Sequence, residues 1–207
     1  MTRRDILLGL GTAAVTVGAA HAEAGGPLLV PIHRVLDSRA RCSPAEWRHF
    51  WGSLWPEAYG NFSRGGLQLQ CTDSKGEIKR SPAGRPIFVG LRPGVLNLVL
   101  TDHLPQNWDR GRSGAGVTTR YDGYHICLIA ITEAHGNQVP YLSVNTCVHE
   151  LLHALLGDVF VKRETWYQAG WRETRADWYA TRLWLFGDGA TLRGLASDYL
   201  RRLRGAA

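Results

Sequence analysis

The residues best suited to chemistry by type and spacing lie in the stretch VHELLHALLGD, positions 148–158. His149 and His153 are four residues apart, so on a helix they share one face, one turn apart. Two imidazoles placed in this way can both bind one zinc ion at ~2.0–2.1 Å. Glu150 is rotated by about 100° around the helix axis, where it reaches a water on that ion rather than the ion itself. The stretch matches the HExxH zinc signature.

A structural explanation competes with this one, namely a histidine pair in the core with satisfied hydrogen bonds. The other side chains of the stretch are apolar on most sides of the helix: Leu151, Leu152, Ala154, Leu155 and Leu156. Three polar or ionisable groups in such a buried helix would cost several kcal/mol without compensation. A divalent cation compensates them directly, so the sequence favours a metal site.

A catalytic zinc site has three protein ligands and a water, so a third ligand is needed. Asp158 lies five residues after His153, Glu164 eleven and Glu173 twenty. Asp158 is out of register with the patterns HExxHxxGxxH and HExxHxxGxxD, in which the ligand comes six residues after the second histidine. Glu164 has no clear helical frame around it and no supporting acid.

Glu173 begins the sequence ETRADWYA on a predicted helix, and Asp177 follows on the same face four residues later. An acid in that place can accept the free ring N–H of a zinc-binding histidine and fix its tautomer. The spacing therefore favours Glu173 as the third ligand, with Asp177 as the partner of a ligand histidine.

HELLH followed after twenty residues by a glutamate in an ExxxD context resembles the gluzincin metallopeptidases, with thermolysin-like ligand spacing. ETRAD also looks like the ExxAD element of small bacterial HExxH peptidases. The resemblance covers about residues 148–180. It implies that His149, His153 and Glu173 bind Zn²⁺, that Glu150 is the catalytic base and that Asp177 orients a ligand histidine.

The reaction implied is hydrolysis of a peptide or protein substrate. Glu150 takes a proton from a zinc-activated water and delivers it to the leaving amine. No histidine follows His153, so the family's downstream histidine has no counterpart here. Tyr167, Tyr179 and His125 are candidates for the oxyanion donor, and each also has a structural explanation.

The first 22 residues have the features of a secretory signal peptide: two arginines, a 15-residue apolar run and the ending Ala-His-Ala. The run is shorter than the ~20 residues of a membrane-spanning helix. Arg3 and Arg4, followed by Asp-Ile-Leu, resemble a bacterial twin-arginine signal. We therefore expect an exported protein, periplasmic or secreted, with no integral membrane segment after cleavage.

Composition limits the remaining possibilities. The 207 residues are 44% hydrophobic and 20% charged, which suits one globular domain over 23–207. The net charge of +6 becomes +5 after cleavage (6 − 2 + 1), and its cationic excess near the C-terminus is typical of a solvated helix face rather than a nucleic-acid site. The oligomeric state is left open.

An even number of cysteines in an oxidising compartment predicts two disulfides of undetermined pairing among Cys42, Cys71, Cys127 and Cys147.

The fold class that we expect is α+β: a single zincin-like domain with a small mixed sheet, the active-site helix and further C-terminal helices. Residues 23–31 are predicted as a flexible lead-in, 105–123 as a polar glycine-rich loop and 125–131 as a strand. Ser43 and Glu46 predict a capping box, and the helix that follows has a tryptophan stripe, Trp47, Trp51 and Trp55, predicted to face the core. Three helices are expected over about 144–156, 170–186 and 190–204, the first capped by Ser143 and ended at Gly157. In zincin folds an edge strand before the metal helix binds peptide substrate, and the sequence does not say whether 125–131 is one.

Two functions follow from these patterns. The first is an exported zinc-dependent metallopeptidase, with hydrolysis of cell-wall peptides an open variant. The alternative is a non-catalytic zincin-like metal-binding domain that binds a partner protein. Glu150 favours the first, because a structural zinc site needs only its ligands.

Overall fold

The structure is a computed structural model, and it describes residues 26–105, 115–134, 145–157, 175–181 and 189–205. In these ranges a mixed sheet and several helices form a single α+β domain, as the sequence predicts. The predicted signal peptide lies outside the described residues. So do five other residues considered above: Ser143, Asp158, Glu164, Tyr167 and Glu173.

The centre of the fold is a six-stranded sheet with the order β3-β2-β1-β4-β6-β5. Strands β2, β1, β4 and β6 run parallel to one another, while β3 and β5 are antiparallel to their neighbours. The strands are β1 (Leu28–Asp37), β2 (Leu67–Arg80), β3 (Pro86–Val89), β4 (Leu96–Thr101), β5 (Gly116–Tyr121) and β6 (Tyr124–Ala130).

Strand β1 corrects the prediction of a flexible lead-in over 23–31, because the strand begins at Leu28. Pro31 argues against a central strand, since proline cannot donate to the ladder. The register explains why it is tolerated: β1 pairs with β2 along its whole length, but with β4 only from Ile32 to Leu36. Pro31 therefore lies where one side of β1 does not face β4.

The helices precede and follow the strands much as predicted. Ser43 and Glu46 form the expected capping box at the start of the first helix. The helices are α1 (Pro44–His49), which continues through a π-helical turn (Phe50–Leu54) into α2 (Trp55–Arg64), then α3 (Thr146–Leu155), α4 (175–181) and α5 (Gly189–Gly205). Gly157, at φ 84°, follows the end of α3, as its sequence position predicts.

The helices pack on one face of the sheet and form the main core with it. This core includes Phe50 and Phe62 from the first helical segment, Leu151 and Leu152 from α3, and Tyr199 from α5. The tryptophan stripe predicted to face the core does so, with Trp55 buried and Trp47 and Trp51 partly buried against it. A smaller cluster around Val35, Val99, Ile126 and Leu128 lies on the other face.

Strands β5 and β6 form a hairpin that the sequence analysis did not predict. The prediction of a loop over 105–123 is wrong from Gly116 to Tyr121, which is strand β5. A two-residue turn, Asp122 and Gly123 at φ 47° and 86°, joins β5 to β6. Strand β6 pairs on both sides, so the outer strand next to α3 is β5.

All four cysteines are free thiols in the structure, and Cys127 and Cys147 are fully buried. The disulfides expected of an exported protein stay a prediction. Within the described ranges, no helix has the length and apolar character needed to cross a membrane.

Candidate active site

Helix α3 carries the HELLH residues, and its first turn is fixed by a buried cap. Asn145, rather than the predicted Ser143, is the N-cap: its Oδ1 accepts the backbone N–H groups of Cys147 and Val148 at 3.0 and 3.4 Å. Its Nδ2 donates to the carbonyl of Leu54 at 2.9 Å and to the Glu57 carboxylate at 3.2 Å. One side chain thus starts the helix and ties it to the helical segment that precedes β2.

The two histidines of HELLH converge through their outer ring nitrogens. The Nε2 atoms of His149 and His153 are 3.0 Å apart, and the rings cross at 81°. One zinc ion held tetrahedrally at ~2.0–2.1 Å by two imidazoles sets their nitrogens about 3.3 Å apart, so the observed spacing fits zinc. Without a cation, the same contact can be a hydrogen bond in which His153 donates.

Asp177, on α4, contacts the other nitrogen of His149. Its Oδ1 lies 2.9 Å from His149 Nδ1, the position predicted for an acid that holds a ligand histidine. A proton on Nδ1, donated to Asp177, leaves the Nε2 lone pair of His149 free for a metal. The helix over 175–181 is also tied to the end of α3, because Arg175 donates to the Leu156 carbonyl at 3.4 Å.

Glu150 is 5% exposed and points toward strand β5. Thr118 of that strand places its hydroxyl oxygen 2.6 Å from Glu150 Oε2 and 2.8 Å from the Glu150 carbonyl. The backbone of Gly116 lies against the same side chain: a Cβ there would come within 2.5 Å of Glu150 Cγ and 2.8 Å of Oε1. The carboxylate therefore lies between α3 and the outer strand β5.

Two buried thiols, those of Cys127 and Cys147, lie near Glu150. Cys127 Sγ is 3.4 Å from the Glu150 carbonyl and 3.3 Å from the Thr118 hydroxyl. Burial, above all, raises the pKa of the Cys127 and Cys147 thiols, and the Glu150 charge raises the pKa of both further. Both are therefore protonated at neutral pH and act as small apolar groups with weak donors.

The third zinc ligand predicted from the sequence, Glu173, lies outside the described residues. Across the part of the chain that the structure does describe, no group of three or more His, Cys, Asp or Glu side chains is arranged to hold a metal ion. The described part of the candidate site is therefore the imidazoles of His149 and His153, the Asp177 carboxylate beside His149, and the Glu150 carboxylate.

The candidates for the oxyanion donor have different surroundings. His125 is buried, with Nδ1 3.2 Å from the Tyr199 hydroxyl, and burial together with Arg120 lowers the pKa of His125 to about 4. Tyr179 packs against the main core, with its ring edge-on to Trp178. These contacts give both residues a structural role, while Tyr167 lies outside the described residues.

The sequence analysis did not predict a role for Gly116 and Thr118, although the sequence contains a pattern that indicates their strand. The run Val-Thr-Thr-Arg-Tyr has high β-propensity, and it is followed by Asp122-Gly123 and then by the strand predicted over 125–131. An Asp-Gly pair between two β-prone runs is the strongest short-range indication of a hairpin. The glycines at 111–116 led instead to a loop prediction.

Comparison of this chain with protein-family models, curated proteins and solved structures finds no match. The function therefore has to be argued from the site itself.

Proposed function

We propose that this chain is an exported zinc-dependent metallopeptidase that hydrolyses peptide bonds with Glu150 as general base. The observation that carries the proposal is the convergence of His149 and His153 at 3.0 Å between their Nε2 atoms, with Asp177 on the inner nitrogen of His149. A core histidine pair would account for the first contact. It would not account for a glutamate next to it that is buried and hydrogen-bonded to a neighbouring strand.

His149, His153 and Glu173 would hold the zinc ion, which would supply Lewis acidity to a carbonyl and lower the pKa of a water. Asp177 keeps the proton of His149 on Nδ1. Glu150 accepts a proton from the attacking water and then donates it to the departing amine. Glu150 is buried, so its carboxylate has little contact with bulk water.

Strand β5 supports a peptide as the substrate. It is the outer strand beside α3, and it pairs with a single strand, β6, among the described residues. An extended peptide can add to such an edge through main-chain hydrogen bonds. The scissile bond would then lie alongside the helix that carries Glu150. In zincin folds an edge strand is expected to bind the peptide substrate, and we assign this role to β5 rather than to β6.

Metal removal and return tests the proposal. The purified chain, freed of residues 1–22, is incubated with a peptide library and the products are read by mass spectrometry. We expect about one zinc per chain, cleavage that stops when a chelator removes the metal, and recovery when zinc is added back. A zinc-loaded chain that cleaves none of the peptides, including cell-wall peptides, would instead support the non-catalytic alternative.

The choice of third ligand is tested with two variants. Glu173→Ala should lose zinc, whereas Asp158→Ala, the matched removal of a nearer acid, should retain it. Metal content after dialysis distinguishes them. If Asp158→Ala loses the metal and Glu173→Ala keeps it, the assignment of the third ligand is wrong while the zinc site itself stands.

A further inference from the structure

Strand β5 contacts Glu150 through Thr118 and Gly116, and neither residue is a candidate zinc ligand. Thr118 brings a hydroxyl to one carboxylate oxygen, and Gly116 leaves room for the other. We propose that Thr118 and Gly116 are positioning residues, which together hold the Glu150 carboxylate in the orientation needed for proton transfer. The proposal rests on the function proposed above.

The hydroxyl of Thr118 has one proton and several acceptors within reach. The carboxylate oxygen Oε2 is the nearest at 2.6 Å, the carbonyl of Glu150 is at 2.8 Å and Cys127 Sγ at 3.3 Å. A distance of 2.6 Å is typical of an O–H···O⁻ bond, which is about twice as strong as a neutral one. A mid-helix carbonyl already accepts the backbone N–H of the next turn. The proton of Thr118 is therefore donated to the carboxylate.

This bond constrains how Glu150 can act. With Oε2 bonded to Thr118, Oε1 is the oxygen that lies against Gly116 and would take the proton from water. A glutamate has three side-chain torsions, and ordering them in a buried place costs up to ~1.5–2 kcal/mol of rotamer entropy. The hydroxyl holds the carboxylate in one rotamer before substrate arrives.

Gly116 fixes the second side of the carboxylate. A Cβ at this position would lie 2.5 Å from Glu150 Cγ, 2.8 Å from Oε1 and 2.9 Å from Cδ. Its φ is not positive, so glycine is required here for space rather than for backbone conformation. The clashing atoms belong to the Glu150 side chain and begin at Cγ, so Gly116→Ala should turn this side chain from its first torsion onward and move the carboxylate aside.

The test compares kcat and KM for Thr118→Val, Thr118→Ser and Gly116→Ala. A displacement of about 1 Å costs on the order of 10²-fold in rate, so we expect kcat of Thr118→Val and Gly116→Ala to fall by roughly 10- to 100-fold. Zinc content and KM should stay close to wild type. The melting temperature should fall by several degrees in both variants, because one leaves a buried carboxylate without its hydroxyl partner and the other crowds the Glu150 side chain. Thr118→Ser keeps the hydroxyl and should restore most of kcat, which a purely structural role of the threonine methyl group would not allow.

Matched controls lie on α5, where Thr191 and Gly194 are exposed. Thr191→Val and Gly194→Ala repeat the same chemical changes away from the site and should leave kcat unchanged. A wild-type kcat in both Thr118→Val and Gly116→Ala would overturn the inference and leave the proposed function standing.

Crystal structures of the zinc-loaded variants give a readout that does not depend on activity. We expect the Glu150 carboxylate to be rotated in Gly116→Ala and to lose its single orientation in Thr118→Val. An unchanged carboxylate in both would overturn the inference. Absence of zinc-dependent hydrolysis by the wild-type chain would overturn the proposed function instead, and the crystal structures would still decide whether β5 holds the carboxylate.

Discussion

At the scale of single residues, His149 makes different contacts through its two ring nitrogens. Nε2 faces His153 at 3.0 Å, and Nδ1 faces Asp177 at 2.9 Å. The second contact determines the first, because a proton held on Nδ1 leaves a lone pair on Nε2. Asp177 comes from another helix, so the tautomer of His149 depends on how α3 and the helix over 175–181 meet.

Removal of Asp177 should therefore weaken zinc binding without removing a ligand. We expect Asp177→Ala to lower zinc affinity by about 10- to 100-fold, the usual effect of losing such a partner. Competition with a chromophoric chelator measures the change. Asp198→Ala removes an exposed aspartate that pairs with Arg201 on α5, and it should leave the affinity unaltered. Equal affinity in both variants would mean that Asp177 plays no part in metal binding.

At the scale of secondary-structure elements, α3 is placed by its cap as much as by its apolar face. Asn145 is fully buried and joins the first turn of the helix to Leu54 and Glu57. Ser43, by contrast, caps α1 at the surface. The two caps use the same kind of bond, but removing the buried one also leaves a carbonyl without its side-chain donor.

Asn145→Ala should for this reason destabilise the protein more than Ser43→Ala does. The surface cap is worth about 1 kcal/mol. Loss of a buried partner adds about 1–3 kcal/mol, so the expected total for Asn145→Ala exceeds ~2 kcal/mol. Urea unfolding of both variants measures the difference. Similar losses in the two would show that the contacts of Asn145 with the helical segment before β2 contribute nothing.

The sequence was most informative where local chemistry decides the structure. The α+β class, the capping box at Ser43, the end of α3 and the last helix were predicted from the spacing of apolar residues and from terminal residues. Strand β5 was missed because its glycine-rich approach outweighed the Asp-Gly turn signal. The strand character of β1 was missed because Pro31 is acceptable only when the pairing partners on each side are known.

The contacts of the site were less predictable. Spacing placed His149 and His153 on one face and named Asp177, which the structure brings to His149 Nδ1. Thr118 and Gly116 meet Glu150 across more than 30 positions of sequence, and neither belongs to a motif. Such contacts depend on the order of strands in the sheet, which local patterns do not encode.

At the scale of the whole molecule, the free energy of unfolding should depend on pH through the buried side chain of His125. His125 joins β6 to α5 through the Tyr199 hydroxyl, and burial, followed by the charge of Arg120, lowers the pKa of His125 from 6.5 to about 4. The folded state thus keeps this imidazole neutral at pH values where the unfolded chain protonates it.

The sign of the effect follows from proton linkage. Between pH 6.5 and about 4 the unfolded chain binds more protons at this position than the folded one. The stabilising contribution is complete above pH 6.5 and is lost as the pH falls toward 4. We expect His125→Phe to show a shallower loss of unfolding free energy over this range, measured by urea titrations at several pH values. Parallel profiles for wild type and variant would contradict the assignment.

The central claim is that Glu150 acts as the base beside a zinc ion held by HELLH. Glu150→Gln tests it most directly, because an amide oxygen can still accept the Thr118 hydroxyl while the proton acceptor is lost. General-base catalysis contributes about 10²–10⁴-fold, so at zinc occupancy equal to wild type kcat for peptide hydrolysis should fall by at least ~10²-fold. Wild-type kcat in a zinc-loaded Glu150→Gln chain would contradict the account.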